Sequence, residues 1–226
     1  MTSITSTQRM SRFDPRRIAL RAYARAQNRL ARYTFHSWAL PLLPVPVPET
    51  DLDYNQGQTA VEPHQMRVLL AALGETERFA HTTVAEVGAY LGETTCVLAA
   101  RTGRRVVAID PYLGGSAPNA ANRDIFLNKT AGQANISLLH MLSAEAAAAW
   151  PFEPPSLVFI DAMHDYLHTG TDGRIWSALV PPGGLVAFHD CDNRRLAGTR
   201  RAVFEMAKTM DLYAHVDNLA VFRKRG

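Results

Sequence analysis

Apolar and polar positions alternate along this chain with two periods, and they predict strands and helices in turn. Short apolar, β-branched runs predict seven strands, at 83–87, 105–109, 136–141, 157–160, 185–189, 213–216 and 219–223. The segments around them have helical spacing, at 63–73, 93–101, 119–131, 144–150, 169–179 and 199–210. Alternating strands and helices are typical of a parallel sheet that is covered on both faces.

The last two strands depart from this alternation. Only two polar residues, Asp217 and Asn218, separate them, which predicts a tight hairpin and an antiparallel edge to the sheet. The predicted fold class is therefore α/β, a doubly wound and mostly parallel seven-stranded sheet with an antiparallel C-terminal hairpin and an N-terminal helical arm. We divide the chain into an arm (1–40), a proline-rich connector (41–57) and an α/β domain (58–226).

The arm is strongly basic. Residues 1–35 contain eight arginines and one acid, Asp14, which gives them a net charge of +7 and leaves −4 for the rest of a chain whose total is +3. Asp14 as cap and Pro15 in the first turn predict the start of a helix. Its apolar residues follow 4-3-4-3 spacing and line one face: Ala19, Tyr23, Ala26, Leu30 and Tyr33.

Like charges one turn apart repel, so we expect an anionic neighbour for this helix. We predict that it packs on a second copy of the chain and makes a homo-oligomer. The acidic body of the same chain, anionic lipid, nucleic acid and a solvated arm are the alternatives. An arginine-rich, acid-poor start also resembles an organellar transit peptide.

Composition narrows the setting of the protein. With 226 residues and 47% hydrophobic residues, the chain can bury one sizeable core. Cys96 and Cys191 have no metal-ligand spacing, which indicates a reduced and therefore cytoplasmic location. No apolar run is long enough for a membrane span, so no transmembrane segment is predicted.

A glycine turn follows the first strand. Gly88 and Gly92 lie between that strand and the next helix, and Asp110 ends the second strand. Open α/β sheets hold nucleosides in this arrangement, with the acid on the ribose hydroxyls, and the two glycines would let the backbone approach the ligand. We therefore predict a nucleoside cofactor.

The residues of the turn indicate which cofactor is bound. A dinucleotide fingerprint has three glycines and seats a pyrophosphate, but the third glycine is missing here and Glu86 would repel such a group. Glu86 would instead neutralise an ammonium group. The sequence therefore favours S-adenosylmethionine, whose methionine end carries one, and an NAD-dependent oxidoreductase is the less favoured alternative.

Three motifs strengthen this interpretation. They are Phe159-Ile160-Asp161-Ala162-Met163-His164-Asp165-Tyr166, then Pro182-Gly183-Gly184, then Phe188-His189-Asp190. With the glycine turn, they make residues 58–226 resemble the class I, Rossmann-like S-adenosylmethionine-dependent methyltransferases. The resemblance is closest to the bacterial small-molecule O-methyltransferases, whose pattern is F-I-D-G-x-H-x-Y, L-x-P-G-G and F-H-D. Ala162 departs from it, since glycine is usual there.

The resemblance implies an S-adenosylmethionine site and a small hydroxylated acceptor, such as a sugar or another metabolite. The implied cofactor contacts are with the methionine moiety, the ribose, the adenine and the sulfonium: Glu86, Gly88, Ala89, Tyr90 and Gly92, then Asp110, then Ser143 and Ala144, then Asp161. Ser143 would equally serve as the cap of the helix that follows it.

The acceptor hydroxyl must lose its proton during methyl transfer. His164 and His189 are the candidate bases, and Asp161 is the third candidate catalytic residue. Either histidine would alternatively make only structural hydrogen bonds.

A metal ion is the other way to activate the hydroxyl. Asp161, Asp190 and Asp192 follow two neighbouring strands, and such oxygen ligands suit Mg²⁺. The alternative is that loop amides and Arg194 satisfy these carboxylates.

Two other functions compete with small-molecule methylation. A nucleic-acid methyltransferase would use the arginine arm on phosphates. Such enzymes grip a flipped base with an Asn/Asp-Pro-Pro-aromatic sequence, but Asp161-Ala162-Met163-His164 stands in its place, so the sequence disfavours nucleic acid. A non-enzymatic interaction module would bind the cofactor without turnover.

Overall fold

The computed structural model describes residues 15–47, 51–114 and 118–226. Its strands are β1 (Thr83–Val87), β2 (Val106–Ile109), β3 (Ile136–Leu139), β4 (Pro155–Ile160), β5 (Leu185–Phe188), β6 (Met210–Val216) and β7 (Leu219–Lys224). Its helices are α1 (Pro15–Tyr33), α2 (Pro63–Glu75), α3 (Glu93–Ala99), α4 (Ala120–Thr130), α5 (Ser143–Ala148), α6 (Tyr166–Leu179) and α7 (Ala197–Met206).

The strands form one sheet in the order β3-β2-β1-β4-β5-β7-β6. Strands β1 to β5 pair in parallel, while β7 is antiparallel to both β5 and β6. The predicted fold class is therefore confirmed, including the antiparallel C-terminal hairpin. The strand order reverses between β1 and β4, and the crevice at the carboxyl ends of these two strands is where open α/β sheets bind ligands.

Helices bury both faces of the sheet, as the continuous apolar runs of its central strands require. On one face, Met66 and Leu69 of α2 pack with Leu98 of α3 against the strands. On the other face, Trp176 of α6 and Val203 of α7 are fully buried. The sheet thus packs between two hydrophobic cores, which fix the positions of the strand ends.

Element boundaries differ from the predicted ones by a few residues. Helix α6 begins at Tyr166, three residues before its predicted start, because the Asp165 carboxylate accepts hydrogen bonds from the backbone N–H groups of Leu167 and His168. Strand β4 begins at Pro155, in the first strand position, where proline is tolerated.

The arm is helical, as predicted, but it lies on its own chain. Helix α1 contacts α6 and α7. It buries Ala24 and Ala31, and the Asn28 side-chain oxygen accepts a hydrogen bond of 3.2 Å from the backbone N–H of Tyr166. The face that we predicted to be apolar points away from this contact and is exposed. Asp14, the predicted cap, lies outside the described residues.

The proline-rich connector also lies on the domain and does not hold the arm apart from it. Leu43 and His215 exchange two backbone hydrogen bonds, of 3.0 and 2.9 Å, so the connector partly covers the edge strand β6. Just before the connector, the Trp38 ring packs edge-on against Phe204 of α7, with 5.5 Å between ring centroids. These contacts hold the C-terminal end of the arm on the domain.

Substituting Gly198 should loosen the arm. A Cβ at Gly198 in α7 would lie 1.7 Å from Asn28 Oδ1 and 2.6 Å from the Tyr166 nitrogen, so Gly198→Ala must push α1 outward. We expect the free energy of unfolding to fall by about 1–3 kcal/mol, and proteolysis of the arm to become faster.

Gly74→Ala is the matched control for this substitution. Gly74 lies in α2, where an added Cβ meets nothing within 4 Å. This substitution should raise the free energy of unfolding by about 0.5–1 kcal/mol. Equal denaturant midpoints for the two variants would contradict the proposed packing of α1.

Candidate active site

The turn after β1 is pressed against the end of β4. Gly88 has φ 93°, and a Cβ there would lie 2.0 Å from the carbonyl oxygen of Asp161. Gly92 has φ 81°, and a Cβ there would lie 2.7 Å from the Phe126 ring. Protein atoms therefore already require glycine at both positions, a constraint that our interpretation of the sequence did not include. The Gly88 turn and Asp161 consequently form one continuous surface.

Glu86 is a buried carboxylate at the base of this turn, with 2% of its surface exposed. Within the described residues its one hydrogen-bond partner is the Thr95 hydroxyl of α3, and no basic side chain forms an ion pair with it. Burial raises the pKa of Glu86 to about 8, and the nearby Asp161 and Asp110 add to that rise. An ammonium group placed here would supply the missing positive charge.

Asp110 connects the Gly88 turn with the loop that follows β2. Its Oδ2 accepts a hydrogen bond of 3.1 Å from the backbone N–H of Tyr90, and its Oδ1 accepts one of 2.9 Å from that of Tyr112. The Tyr112 hydroxyl in turn donates to the Tyr90 carbonyl at 2.8 Å. Each carboxylate oxygen keeps a lone pair for a ribose hydroxyl. Burial raises the pKa of Asp110, although these N–H donors oppose the rise.

The sequence analysis missed the contribution of Tyr112. Its position two residues after the acid that ends β2 is the signal that could have identified it. Ala89, within the same turn, is buried.

Ser143 and Ala144 begin α5, on the side of the crevice beyond β3. Ser143 does not cap that helix. Its hydroxyl donates to Asp172 at 2.6 Å and accepts from the Trp176 indole at 2.8 Å, which fixes the start of α5 on α6. Ala144 is exposed, and an adenine ring could lie against it.

Two carboxylates and one imidazole meet beyond the end of β4. His164 Nε2 lies 3.2 Å from Asp161 Oδ1 and 3.1 Å from Asp190 Oδ2. Both neighbours are acceptors, so Nε2 carries the proton and donates it. Burial disfavours the charged imidazole, but the two carboxylates outweigh this effect and raise the pKa of His164. Although burial opposes it, the hydrogen bond from His164 and the nearby imidazole of His189 lower the pKa of Asp161.

His189, the residue that follows β5, is a buried neighbour of this cluster. It is 3% exposed, and its Nδ1 lies 3.5 Å from Asp161 Oδ1. Its Nε2 donates at 3.0 Å to Gln65 Oε1, which also accepts from the backbone N–H of Glu62. Gln65 therefore fixes the imidazole ring, and His189 is too buried to reach an acceptor molecule. Sequence reasoning missed Gln65, a side chain of α2 with no motif of its own.

The third predicted metal ligand lies apart from the cluster. Asp190 has φ 55°, and this left-handed residue redirects the chain so that the Asp192 carboxylate pairs with Arg200 of α7. Arg194, which we considered as the partner of these carboxylates, is exposed. His164 instead completes a group with Asp161 and Asp190 whose ligand atoms all lie within 4.8 Å of one another.

The fold and sequence comparisons identify the class of protein. Residues 85–191 match a family described as a methyltransferase domain. The chain contains a methyltransferase domain. With the sheet topology, this match confirms the resemblance to the class I S-adenosylmethionine-dependent methyltransferases. Comparison with curated proteins gives no match.

Solved structures share the fold of this methyltransferase. The O-methyltransferase NovP has a TM-score of 0.61 at 14% identity, over 91% of this chain and 99% of that chain. An O-methyltransferase from Bacillus cereus in complex with SAH gives 0.55 at 16%, over 88% and 91%. An rRNA methylase from Streptococcus thermophilus gives 0.53 at 15%, over 74% and 99%. The fold alone therefore leaves the acceptor open.

Cofactor binding should release a proton from Glu86. Because burial raises its pKa to about 8, an ammonium ligand must drive ionisation at neutral pH. The dissociation constant of S-adenosylmethionine should therefore fall by up to about tenfold per pH unit as the pH rises, and level off above the pKa of Glu86. Calorimetry in buffers of different ionisation enthalpy measures both the affinity and the proton released.

Glu86→Gln should bind the cofactor roughly 10- to 100-fold more weakly at high pH, where the lost charge matters most, and should release one proton less. Below neutral pH its affinity should approach that of the wild type. The exposed Glu153→Gln is the matched control and should behave as wild type. Identical pH profiles for Glu86→Gln and wild type would argue against an ammonium beside Glu86.

Proposed function

We propose that this methyltransferase methylates a hydroxyl group of a small molecule, and that His164 removes the proton of that hydroxyl. The observation that carries the proposal is the contact between the cofactor turn and the acidic cluster. Asp161 touches Gly88 through its backbone and His164 through its side chain. A methyl group presented from the turn would thus emerge beside a base.

The geometry of His164 supports this role. Its Nε2–H is held between two carboxylates, so in the neutral imidazole Nδ1 is the basic nitrogen. A carboxylate that orients one imidazole nitrogen while the other accepts a proton is a recurrent catalytic arrangement. The side chain is 34% exposed, so an acceptor could reach it, whereas His189 is covered. Asp161 and Asp190 act as positioning residues that also stabilise the imidazolium.

The donor set also fits a divalent cation. Asp161 and Asp190 would hold it with His164 as third ligand, and Asp192 would not take part because Arg200 binds it. The set contains two hard oxygen donors and one nitrogen donor. It suits Mn²⁺ or Zn²⁺ better than Mg²⁺, which prefers oxygen ligands alone. Such an ion would lower the pKa of a bound hydroxyl. Metal assistance is therefore the second form of the proposal.

Nothing in the site favours a nucleic acid. The basic arm lies on α6 and α7, and the residues after β4 form a cluster of carboxylates and imidazole instead of a stacking platform for a flipped base. The O-methyltransferases among the structural neighbours agree with a small hydroxylated acceptor.

Replacing His164 should separate chemistry from cofactor binding. His164→Gln keeps a hydrogen-bonding side chain but removes the base, so kcat should fall by about 10²- to 10⁴-fold while the cofactor dissociation constant stays nearly unchanged. The readout is S-adenosylhomocysteine release with a panel of sugar, phenol and alcohol acceptors, and with RNA for comparison.

His168→Gln is the matched control for this prediction. His168 lies one turn away, with Nδ1 2.7 Å from Asp165 Oδ2, and has no contact with Asp161 or Asp190. Its kcat should stay within a few-fold of wild type. Equal losses in the two variants, or methylation of RNA but of no small acceptor, would refute the proposed function.

The two aspartates after β5 should differ in effect. Asp190→Asn removes a partner of His164, so we expect transfer to be lost while the cofactor still binds. Asp192→Asn disturbs only the contact with Arg200 and should retain most of the activity. The reverse order would contradict the assignment of the cluster.

A chelator tests the metal form of the proposal. A fall in kcat with chelator that Mn²⁺ or Mg²⁺ reverses would assign a bound cation to Asp161 and Asp190.

A further inference from the structure

The outer face of α1 carries exposed apolar side chains. Tyr23, Leu30 and Tyr33 are 48%, 52% and 83% exposed, and the exposed Ala19 and Ala26 share their face of the helix. We call these five residues the outer stripe. Exposed apolar stripes of this kind mark interaction surfaces.

An arginine row flanks the outer stripe on one side. Arg21, Arg25, Arg29 and Arg32 are spaced 4-4-3 along α1 and are all exposed. Within residues 15–47, 51–114 and 118–226, no carboxylate forms a salt bridge with any of the four, and Arg32 donates only to the Arg195 carbonyl. Residues 15–33 include no acid. The row therefore lacks negative counter-charges.

A second copy of α1 would not supply those charges. Two identical helices that meet through the outer stripe about a two-fold axis perpendicular to them run antiparallel, and the same flank of each then faces its copy. The arginine row would lie against the arginine row, where like charges repel. A parallel pair would still present no acid, since α1 has none. Self-pairing of α1 thus satisfies the apolar residues but not the arginines.

The surface of an anionic bilayer satisfies both features. Tyrosine and leucine side chains enter the boundary between headgroups and acyl chains, while arginines bind the headgroup phosphates. A nucleic acid would offer phosphates but no apolar phase for the outer stripe. Within the described ranges no helix has both the length and the apolar character to cross a membrane, so the contact would be peripheral.

We propose that α1 docks this methyltransferase on an anionic lipid surface, through the outer stripe and the arginine row. The opposite face of α1 stays on the domain, because Asn28 accepts from Tyr166 and Arg201 binds Gln27. Docking therefore needs no unfolding of the arm. The Asn28 contact reaches the start of α6, two residues after His164, so the helix that carries the docking surface is attached beside the acceptor side of the crevice.

Vesicle binding by the full chain tests this proposal. The protein is sedimented with vesicles of phosphatidylcholine alone and of phosphatidylcholine mixed with phosphatidylglycerol. We expect binding only to the mixed vesicles, and weaker binding as salt is raised. The combined variant Arg21→Gln, Arg25→Gln, Arg29→Gln should lose on the order of 100-fold in affinity, at about tenfold or less per arginine. Tyr23→Asn with Leu30→Asn should lose at least as much.

Matched controls carry the same changes elsewhere. Arg101→Gln, Arg174→Gln and Arg225→Gln together remove three exposed arginines, and Leu127→Asn removes a leucine that is 47% exposed. These variants should bind as wild type does. All variants should keep wild-type circular dichroism and cofactor affinity, so that failure of docking is separated from failure of the enzyme.

Three results would overturn the proposal. They are equal binding to neutral and anionic vesicles, equal losses in the control variants, and a stable dimer in sedimentation that Tyr23→Asn with Leu30→Asn dissociates. The last result would assign the outer stripe to a second copy of the chain.

Discussion

The close approach of Gly88 to Asp161 is the constraint on which the rest of the site depends. The Asp161 backbone N–H donates to the Val87 carbonyl at 2.8 Å, and the Gly88 N–H donates to the Ile109 carbonyl at the same distance. These bonds continue the sheet by one residue past the strand ends. They bring the Gly88 turn and the acidic cluster into contact, so the proposed function needs no separate element to align methyl donor and base.

The same constraint explains the electrostatics of the crevice. The carboxylates of Glu86 and Asp110 are buried, and that of Asp161, whose side chain is 17% exposed, lies near them with few positive charges among the three. The three carboxylates are stabilised in different ways. Glu86 holds a proton, Asp110 accepts hydrogen bonds from two backbone N–H groups, and Asp161 lies beside two imidazoles. A ligand with an ammonium group, two ribose hydroxyls and a sulfonium complements this arrangement.

The sequence predicts much of this architecture because periodicity and strand-end residues are local signals. The strands, the reversal at the glycine turn and the acid after β2 all follow from short stretches. The composition of the cluster does not. The left-handed conformation of Asp190 sends Asp192 to Arg200 and leaves His164 as the third member. Asn218, far along the chain, accepts hydrogen bonds from the backbone N–H groups of Cys191 and Asp192 in this loop.

The arm also combines features that the local sequence predicts with features that it does not. Its helix and the outer stripe follow from spacing, but the side that meets the domain carries alanine, glutamine and asparagine, which no apolar pattern reveals. That side is defined by shape, since Gly198 leaves room for Asn28. A helix that is held by small residues on one face is free to present apolar and basic residues on the other.

A crystal structure with S-adenosylhomocysteine tests the central claim most directly. The account predicts that the ribose hydroxyls bind Asp110, that the ammonium lies beside Glu86, and that the sulfur faces the cleft between Asp161 and His164. Density that places the sulfur away from His164, or the ribose away from Asp110, would contradict it.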